Sequence, residues 1–354
     1  MVTMSQRWMQ VSGVPGNHGV AGARLEAMTP SRSGSAPVRW GLLGASRIAV
    51  REYLPALRAE GGGKPIVVGA RDGSRAASYA AEHGIESSVQ GYRAVIENPD
   101  VDAVYVALPN DLHIRWAAAA AEAGKAVLCE KPLGMDEDEV RGLVKRGGAS
   151  ALIWEAMVFP FHPQTQLLAD LVDNELGGVT SIRADFSFVL DNPSDFRWDP
   201  AHGGGALYDI GCYGVRLCRL LCGAEAESAQ ASSTRTDRGI DLRTTTTLRF
   251  PGERLGHVTA SFIDPPDTTA TIIGPMGRIA VSNPYHPGPG DTIEIAVNGQ
   301  PSRSMPAPAG TSFEYGLHHI HRVLRGEEGP QNLADPESLR QAHTMDMVRA
   351  AAIA

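Results

Sequence analysis

The feature that most restricts what this chain can fold into is a run of short apolar strands separated by helices, between Val38 and Ala156. The segments VRWGLLGAS at 38–46, PIVVGA at 65–70, VDAVYVALP at 101–109, KAVLCEKP at 125–132 and ALIWEA at 151–156 read as buried strands. Between them, Ser74 to Glu82, HIRWAAAAAEAG at 113–124 and Asp136 to Lys145 carry helical patterns, and a helix after Gly44 must bend or end its first part at Pro55. Strands joined by helices pair in parallel through right-handed crossovers. The spacing therefore predicts an α/β domain over residues 37–160.

Beyond Pro160 the pattern changes. VTSIRADFSFVL at 179–190, DLRTTTTLRF at 241–250, LGHVTASFI at 255–263, TTATIIG at 268–274, GRIAVSN at 277–283 and TIEIAV at 292–297 are strand-like runs on short turns. They predict an α+β domain over 161–354, a mainly antiparallel sheet with a face covered by helices near 163–175, 205–222, 312–325 and 335–349. The C-terminal helix is free in this reading to pack back on the first domain. YHPGPGD, following Pro284, is too rich in Pro and Gly for a regular element. Residues 1–36, rich in Gly, Ser, Pro and Ala, read as a flexible extension, with Met28 an alternative initiator.

A formal net charge of -8 argues against non-specific nucleic-acid binding, which needs a broad positive field. No secretory signal and no long apolar run is evident, so a cytoplasmic protein without membrane contact is expected. Cys129, Cys212, Cys218 and Cys222 show no metal-binding spacing and read as packing residues. His318, His319 and His321 share a helix, but neighbours on a helix point apart, so no metal is expected.

Gly44-Ala45-Ser46-Arg47-Ile48-Ala49 follows the first strand in a G-x-S-x-x-A register. Gly44 can make the tight turn, Ser46 is small enough for backbone to approach phosphate, and Ala49 allows close helix packing. Free N–H groups at the following helix start, around Arg47 and Ile48, suit a pyrophosphate. At the end of the second strand, Arg71 offers a fork for a 2′-phosphate, which favours NADP; Asp72 could instead hold a ribose, which keeps NAD open.

Glu130-Lys131-Pro132 falls at the carboxyl end of a strand, where open sheets bind ligands. Lys131 can donate to a substrate oxygen, and Glu130 can set the geometry of the loop. In HGGGALYDIGCYGVR, from His202 to Arg216, a glycine entry leads into a helix. At about 100° per residue, Tyr213 falls about 40° and Arg216 about 20° from Asp209, on one polar face. Leu207, Ile210, Gly214, Leu217, Cys218 and Leu221 form a separate packing stripe, and Gly205, Gly211 and Gly214 suggest close backbone approach at a domain junction. Tyr213 is the first choice for proton exchange with a reacting oxygen, and Asp209 for a neighbouring hydroxyl.

These pieces together resemble the oxidoreductase family of glucose–fructose oxidoreductase and inositol dehydrogenase, nearest its branch of dihydrodiol dehydrogenases and NADP-dependent D-xylose dehydrogenases. The likeness runs from about Val38 to Arg349. It rests on WGLLGASRIA at 40–49, Ala107-Leu108-Pro109-Asn110 with His113, GKAVLCEKPLGM at 124–135, Trp154-Glu155-Ala156-Met157 leading to Phe161-His162-Pro163, and FRWDPAHGGGALYDIGCYGV at 196–215. The resemblance implies a Rossmann domain, a C-terminal open antiparallel sheet and catalysis in the cleft between them. It implies that Leu108, Asn110 and His113 line the nicotinamide region, that Lys131, Asp209 and Tyr213 are catalytic, and that Trp154, Phe161, His162, Arg197, Trp198, His202 and Arg216 border a substrate. Ser46, Pro160, His202 and Arg216 depart from residues usual in that pattern.

The expected function is thus an NADP-preferring oxidoreductase, with NAD usable, that interconverts a hydroxyl and a carbonyl on a sugar or cyclic polyol, working as a homodimer or homotetramer. Alternatives are a keto-sugar reductase of secondary metabolism, a C–O bond-cleaving enzyme that regenerates its nicotinamide, and a non-catalytic dinucleotide-binding regulator.

Overall fold

The computed structural model describes residues 36–148 and 151–353, which form two compact units. The expected extension at 1–36 lies outside the described residues except for Ala36. One unit comprises residues 36–161 and 311–338, and the other 162–310 and 339–353.

In the first unit, β1 (Val38–Leu43) leads into a continuous helical run that widens into a π turn (Ala49–Tyr53) before α1 (Leu54–Glu60), and Pro55, which has no N–H to give, comes just after the widened turn. β2 (Gly63–Ala70) leads into α2 (Gly73–His83), β3 (Ser87–Gln90) into the single turn α3 (Arg93–Ile96), and β4 (Ala103–Val106) into α4 (His113–Glu122). β5 (Ala126–Cys129), α5 (Glu137–Gly147) and β6 (Ile153–Glu155) complete the series. Asp136 caps α5 by accepting from the Glu139 N–H at 2.8 Å; acidic residues fill its first turn and Lys145 and Arg146 its last, in line with the helix dipole.

The strands pair in parallel in the order β3-β2-β1-β4-β5-β6. The order reverses between β1 and β4, and a doubly wound sheet binds ligands outside the carboxyl ends of its strands at such a switch point. This is the Rossmann arrangement the sequence implied. β3 is a strand the sequence pattern did not mark: SSVQ lies at a sheet edge and lacks the apolar signature of its buried neighbours.

The second unit holds α6 (Pro163–Leu171), β7 (Ser181–Ser187), α7 (Cys212–Cys222), β8 (Ser228–Arg235), β9 (Asp241–Phe250), β10 (Arg254–Ser261), β11 (Ala270–Gly274), β12 (Gly277–Val281), β13 (Thr292–Val297) and β14 (Arg303–Pro306). Its sheet runs β14-β13-β12-β11-β7-β10-β9-β8, antiparallel except for the parallel pair β7 and β10. The strands absent from the sequence reading, β8 and β14, are its two edges. α7 lies on the sheet. A Cβ at Gly214 would come within 2.6 Å of Val258, and one at Gly211 within 3.2 Å of Ala260. These two glycines allow the close approach of α7 to the sheet of their own unit. The four cysteines are buried and unbridged.

Two helices follow. α8 (Ser312–Leu324) returns to the first unit, begun by a capping box of Thr311 and Glu314, and α9 (Leu339–Ile353) belongs to the second. Among the described residues no helix is long and apolar enough to cross a membrane, and no group of three or more His, Cys, Asp or Glu is placed to hold a metal ion.

α8 docks through a buried polar chain. The Trp40 indole donates to His321 Nε2 at 2.9 Å, and His321 Nδ1 lies 2.6 Å from Glu60 Oε2. Indole can only donate, so Nε2 accepts and Nδ1 carries the proton given to the carboxylate. The Glu60 oxygens also meet the Gly62 N–H at 2.7 Å and His318 at 3.3 Å. Burial would raise this carboxyl, but its hydrogen bonds with His318, His321 and Gly62 win and hold it far below the usual carboxylate range.

A carboxyl depressed in the folded state adds stability that is complete above its unfolded value of about 4.3 and is lost as pH falls through the folded one. Glu60→Gln is expected to cost about 2 kcal/mol at pH 7 in urea unfolding, from losing charged hydrogen bonds. It should also flatten the fall of stability below about pH 4 relative to wild type.

Candidate functional site

The first unit supplies a turn, a charged edge and a braced lysine loop. Gly44 leaves β1 with φ 105°, and its N–H donates to the Gly69 carbonyl at 2.9 Å. A Cβ there would stand 2.5 Å from the Ala107 carbonyl oxygen and 3.0 Å from the Leu108 side chain, so only glycine fits both conformation and space. Ser46 Oγ accepts from the Ala49 N–H at 3.3 Å, the Ser46 carbonyl accepts from the Tyr79 hydroxyl at 2.9 Å, and the Ala45 carbonyl from Arg75 at 2.9 Å. The turn is thus held from below, with Arg47 exposed and Ser46 and Ile48 half-buried.

At the end of β2, Arg71 is exposed and Asp72 caps α2, its Oδ1 accepting from the Arg75 N–H at 2.7 Å and the Ser74 hydroxyl at 2.6 Å. These bonds hold the Asp72 carboxyl below its usual range. Asp72 is committed to a helix start, which leaves Arg71 as the charged group the strand end offers outward.

Lys131 lies on the loop after β5, half-buried, and its neighbours are fixed by buried polar groups. Tyr105 donates to Glu130 Oε1 at 2.6 Å, and the Leu133 N–H donates to Glu155 Oε1 at 2.9 Å. His113, fully buried, sets one ring nitrogen 2.8 Å from the Pro132 carbonyl and the other 2.8 Å from that of Leu108. Its ring thereby lies between the loop after β4 and the loop after β5; burial lowers its pKa, and the neutral ring donates to one of these two carbonyls at a time. Asn110 is buried in the 3-10 turn that starts α4. Glu155 is a brace the sequence reading passed over, although it stands beside Trp154.

Trp154 and His162 are each 1% exposed. The Trp154 indole donates to the Gln331 carbonyl at 2.8 Å and packs edge-on against His319. His162 caps α6, accepting from the Gln164 N–H at 3.1 Å with its other nitrogen 3.2 Å from the Gly310 carbonyl, and burial pushes its pKa down to about 4. Both side chains hold backbone within their own units. Phe161 stacks on His319 and stays half-buried.

The second unit supplies a polar wall. Asp195 and Asp199 cap consecutive 3-10 turns at 196–198 and 200–202, which end at Gly203 with φ 67°. Arg197 reaches from the first of these to Asp209 Oδ2 at 2.7 Å and Asp195 Oδ1 at 3.1 Å. Burial disfavours its charge, but the two carboxylates more than offset that and raise its pKa. Trp198 packs edge-on to Phe262 and donates to the Asn192 carbonyl at 2.8 Å; His202 is half-buried. Asp241 closes the helix start, accepting from the Leu207 N–H at 2.7 Å and Thr244 at 2.9 Å.

A wide π turn at Leu207–Gly211 precedes α7, so the simple 100° register does not hold through Asp209. Asp209 pairs with Arg197, Arg216 is buried within α7 in the field of Glu225, and the Tyr213 hydroxyl meets His286 Nε2 at 3.3 Å. The shared polar face is therefore divided among different partners. His286 sits in the Pro/Gly segment that the sequence reading set aside; its only sequence signal is a histidine beside Tyr285.

A switch-point turn that only glycine can make, a charged strand end and a lysine on the adjoining loop define the class: a dinucleotide-binding oxidoreductase. The chain belongs to the GFO/IDH/MocA oxidoreductase family. Residues 38–147 match the "Oxidoreductase family, NAD-binding Rossmann fold", and residues 165–280 the "GFO/IDH/MocA C-terminal domain". It is 34% identical to a D-xylose 1-dehydrogenase (NADP(+)) of Haloferax volcanii, over 87% of this chain and 95% of that protein. It is 31% identical to a trans-1,2-dihydrobenzene-1,2-diol dehydrogenase of Macaca fuscata fuscata, over 81% and 88%. Among solved structures, a 3-ketoreductase from Actinomadura kijaniata in complex with NADP and TDP-benzene superposes with a TM-score of 0.83 at 31% identity, covering 90% of this chain and 98% of that one.

Because His113 joins two loops at the switch point, His113→Leu should weaken binding of reduced nicotinamide cofactor about tenfold, equivalent to ~1.4 kcal/mol, by fluorescence titration.

Proposed function

We propose that this protein is an NADP-preferring oxidoreductase that interconverts a hydroxyl and a carbonyl on a sugar or cyclic polyol, with NAD as a weaker alternative. The observation that carries the reading is the braced Lys131 loop beside a glycine turn at the switch point of a doubly wound sheet. The relatives support it, since the two dehydrogenases named above are named for a sugar and a cyclic diol, and the xylose dehydrogenase and the 3-ketoreductase are named with NADP.

Gly44, Ser46, Arg47 and Ile48 would hold the pyrophosphate, Arg71 the 2′-phosphate, and Leu108, Asn110, His113, Glu130 and Lys131 the nicotinamide side. The bound nicotinamide supplies a hydride acceptor or donor. Tyr213 takes the hydroxyl proton when the alcohol is oxidised and returns it when the carbonyl is reduced. Lys131 donates to a substrate oxygen as negative charge builds on it. Asp209, oriented by Arg197, accepts from a neighbouring substrate hydroxyl, and Phe161, Trp198, His202 and Arg216 shape the surroundings of that hydroxyl.

We assign the protein to the cytoplasm, as a homodimer or homotetramer. In β9 through β13, buried residues alternate with half-exposed ones, which gives the sheet a second face suited to another copy.

A keto-sugar reductase is the second reading, favoured by the likeness to the 3-ketoreductase and by the same site. Initial rates in both directions, with sugars and keto-sugars, decide between them.

Lys131→Met and Tyr213→Phe are each expected to lower kcat by about 10²–10⁴-fold while cofactor binding persists. Wild-type turnover in both variants would remove them from the chemistry. Arg71→Ala should weaken NADP about ten- to hundredfold with little change for NAD. Asp72→Ala should lower the melting temperature and leave the NADP to NAD ratio unchanged; equal losses of both cofactors in Arg71→Ala would take that arginine off the 2′-phosphate.

A further inference from the structure

His286 stands at the Tyr213 hydroxyl within a set of rings that leaves the pair little freedom. Its imidazole centroid is 5.1 Å from the Tyr213 ring at an interplanar angle of 64°, and 6.2 Å from Phe186. Phe186 stacks on Tyr285 at 5.4 Å, and Tyr285 in turn lies 5.4 Å from Tyr213. Phe186 comes from β7, Tyr213 from α7, and Tyr285 and His286 from the loop after β12. Two separate elements thus converge on the phenol of a third.

The loop that carries His286 is fastened at both ends despite its prolines and glycines. Asn283 closes it, its Oδ1 accepting from the His286 N–H at 2.9 Å and its Nδ2 donating to the His286 carbonyl at 2.7 Å. Gln164 of α6 donates to the Asn283 carbonyl at 2.8 Å. At the far end, Asp291 accepts from the Gly288 N–H and the Ser282 hydroxyl, both at 2.9 Å. A histidine on a free loop would sample many positions; this one is held at the Tyr213 hydroxyl.

We propose that His286 is the proton partner of Tyr213, a positioning residue whose Nε2 takes the phenolic proton as the phenol oxygen takes the proton of the substrate hydroxyl. The step rests on the reading that Tyr213 exchanges that proton. In oxidation, the substrate O–H and C–H bonds break and a C=O bond forms, and the C–H electron pair leaves as hydride to the nicotinamide oxidant. The hydroxyl proton goes to Tyr213, the former phenolic proton goes to His286, and the imidazolium then releases a proton to water, which its half-exposed position allows. Reduction reverses each transfer. A free phenol titrates near 10 and a free imidazole near 6.5, so an imidazole is the kind of group that can exchange a proton with water in the neutral range.

Among the groups that face the imidazole are the Tyr213 phenol from α7, the apolar Phe186 ring from β7, and Asn283 and Tyr285 from its own loop. Tyr285 is fully buried, which raises its pKa well above the usual value, with Asp185 and Asp267 adding to that rise. It therefore stays protonated across the working range.

The test uses the full chain, with a substrate found by following reduced-cofactor absorbance, and the variants Tyr213→Phe, His286→Gln and His286→Phe, each checked for folding by thermal melting. Both His286 variants are expected to lower kcat at pH 7 at least about tenfold with KM little changed, and to abolish the ionisation on the acid side of the kcat profile. Wild-type kcat and profile in both variants would overturn the proposal. Full turnover in His286→Gln would do the same, because glutamine can hold the phenol but cannot take its proton. A substrate-free readout stands beside these: the NMR titration midpoint of His286 should move in Tyr213→Phe, and an unmoved midpoint overturns the coupling. Full turnover in Tyr213→Phe would instead bring down the underlying role of the tyrosine, a result distinct from any His286 outcome.

Discussion

The contact on which the first unit depends is the approach of Gly44 to the Ala107 carbonyl, closer than any side chain permits. β1 and β4 are neighbours across the point where strand order reverses. Their exit loops must pass through one small space before a helix can begin with its N–H groups turned outward. A left-handed turn at Gly44 resolves that crowding, and the Ser46 hydroxyl and the Tyr79 and Arg75 side chains then hold the turn from behind. The anion-binding character of this corner is a by-product of packing two parallel strands together.

The lysine loop shows the same economy. Glu130, Glu155 and His113 are buried polar groups, and unpartnered each would be costly. Each is instead committed to a hydroxyl or to backbone, so loop rigidity comes from satisfying groups that burial would otherwise penalise. A half-buried ammonium on such a loop loses little freedom when it meets an oxygen, which lets its charge act on developing negative charge rather than on its own ordering.

Much of the fold was legible because buried strands announce themselves. The central strands of both sheets are apolar or alternating, and all were readable. The three strands that were not, SSVQ, SAQASSTR and RSMP, are sheet edges, where solvent removes the need for apolar residues. The site was legible where chemistry depends on local order, as at Gly44 and Lys131. It was less so where partners come from afar: the π turn ahead of α7 shifted the face on which Asp209 was placed, Trp154 and His162 went inside, and His286 arrives from a segment whose composition promised only irregularity. Composition reports backbone preference, whereas the Asn283 and Asp291 side chains that tame that segment act through contacts no periodicity records.

The bond from the Trp40 indole to His321 spans 281 positions of chain. During synthesis the nucleotide-binding unit therefore emerges with its first strand, its π turn and the carboxylate of Glu60 in place but without the helix whose imidazoles hydrogen-bond that carboxylate, and it waits while the whole sheet of the other unit is made. Contacts so distant in sequence are slow to form, because loop closure must precede any gain. A nascent chain halted near residue 161 would hold a carboxylate at its core with neither imidazole to receive it, which makes the first unit dependent for its completion on translation of the second.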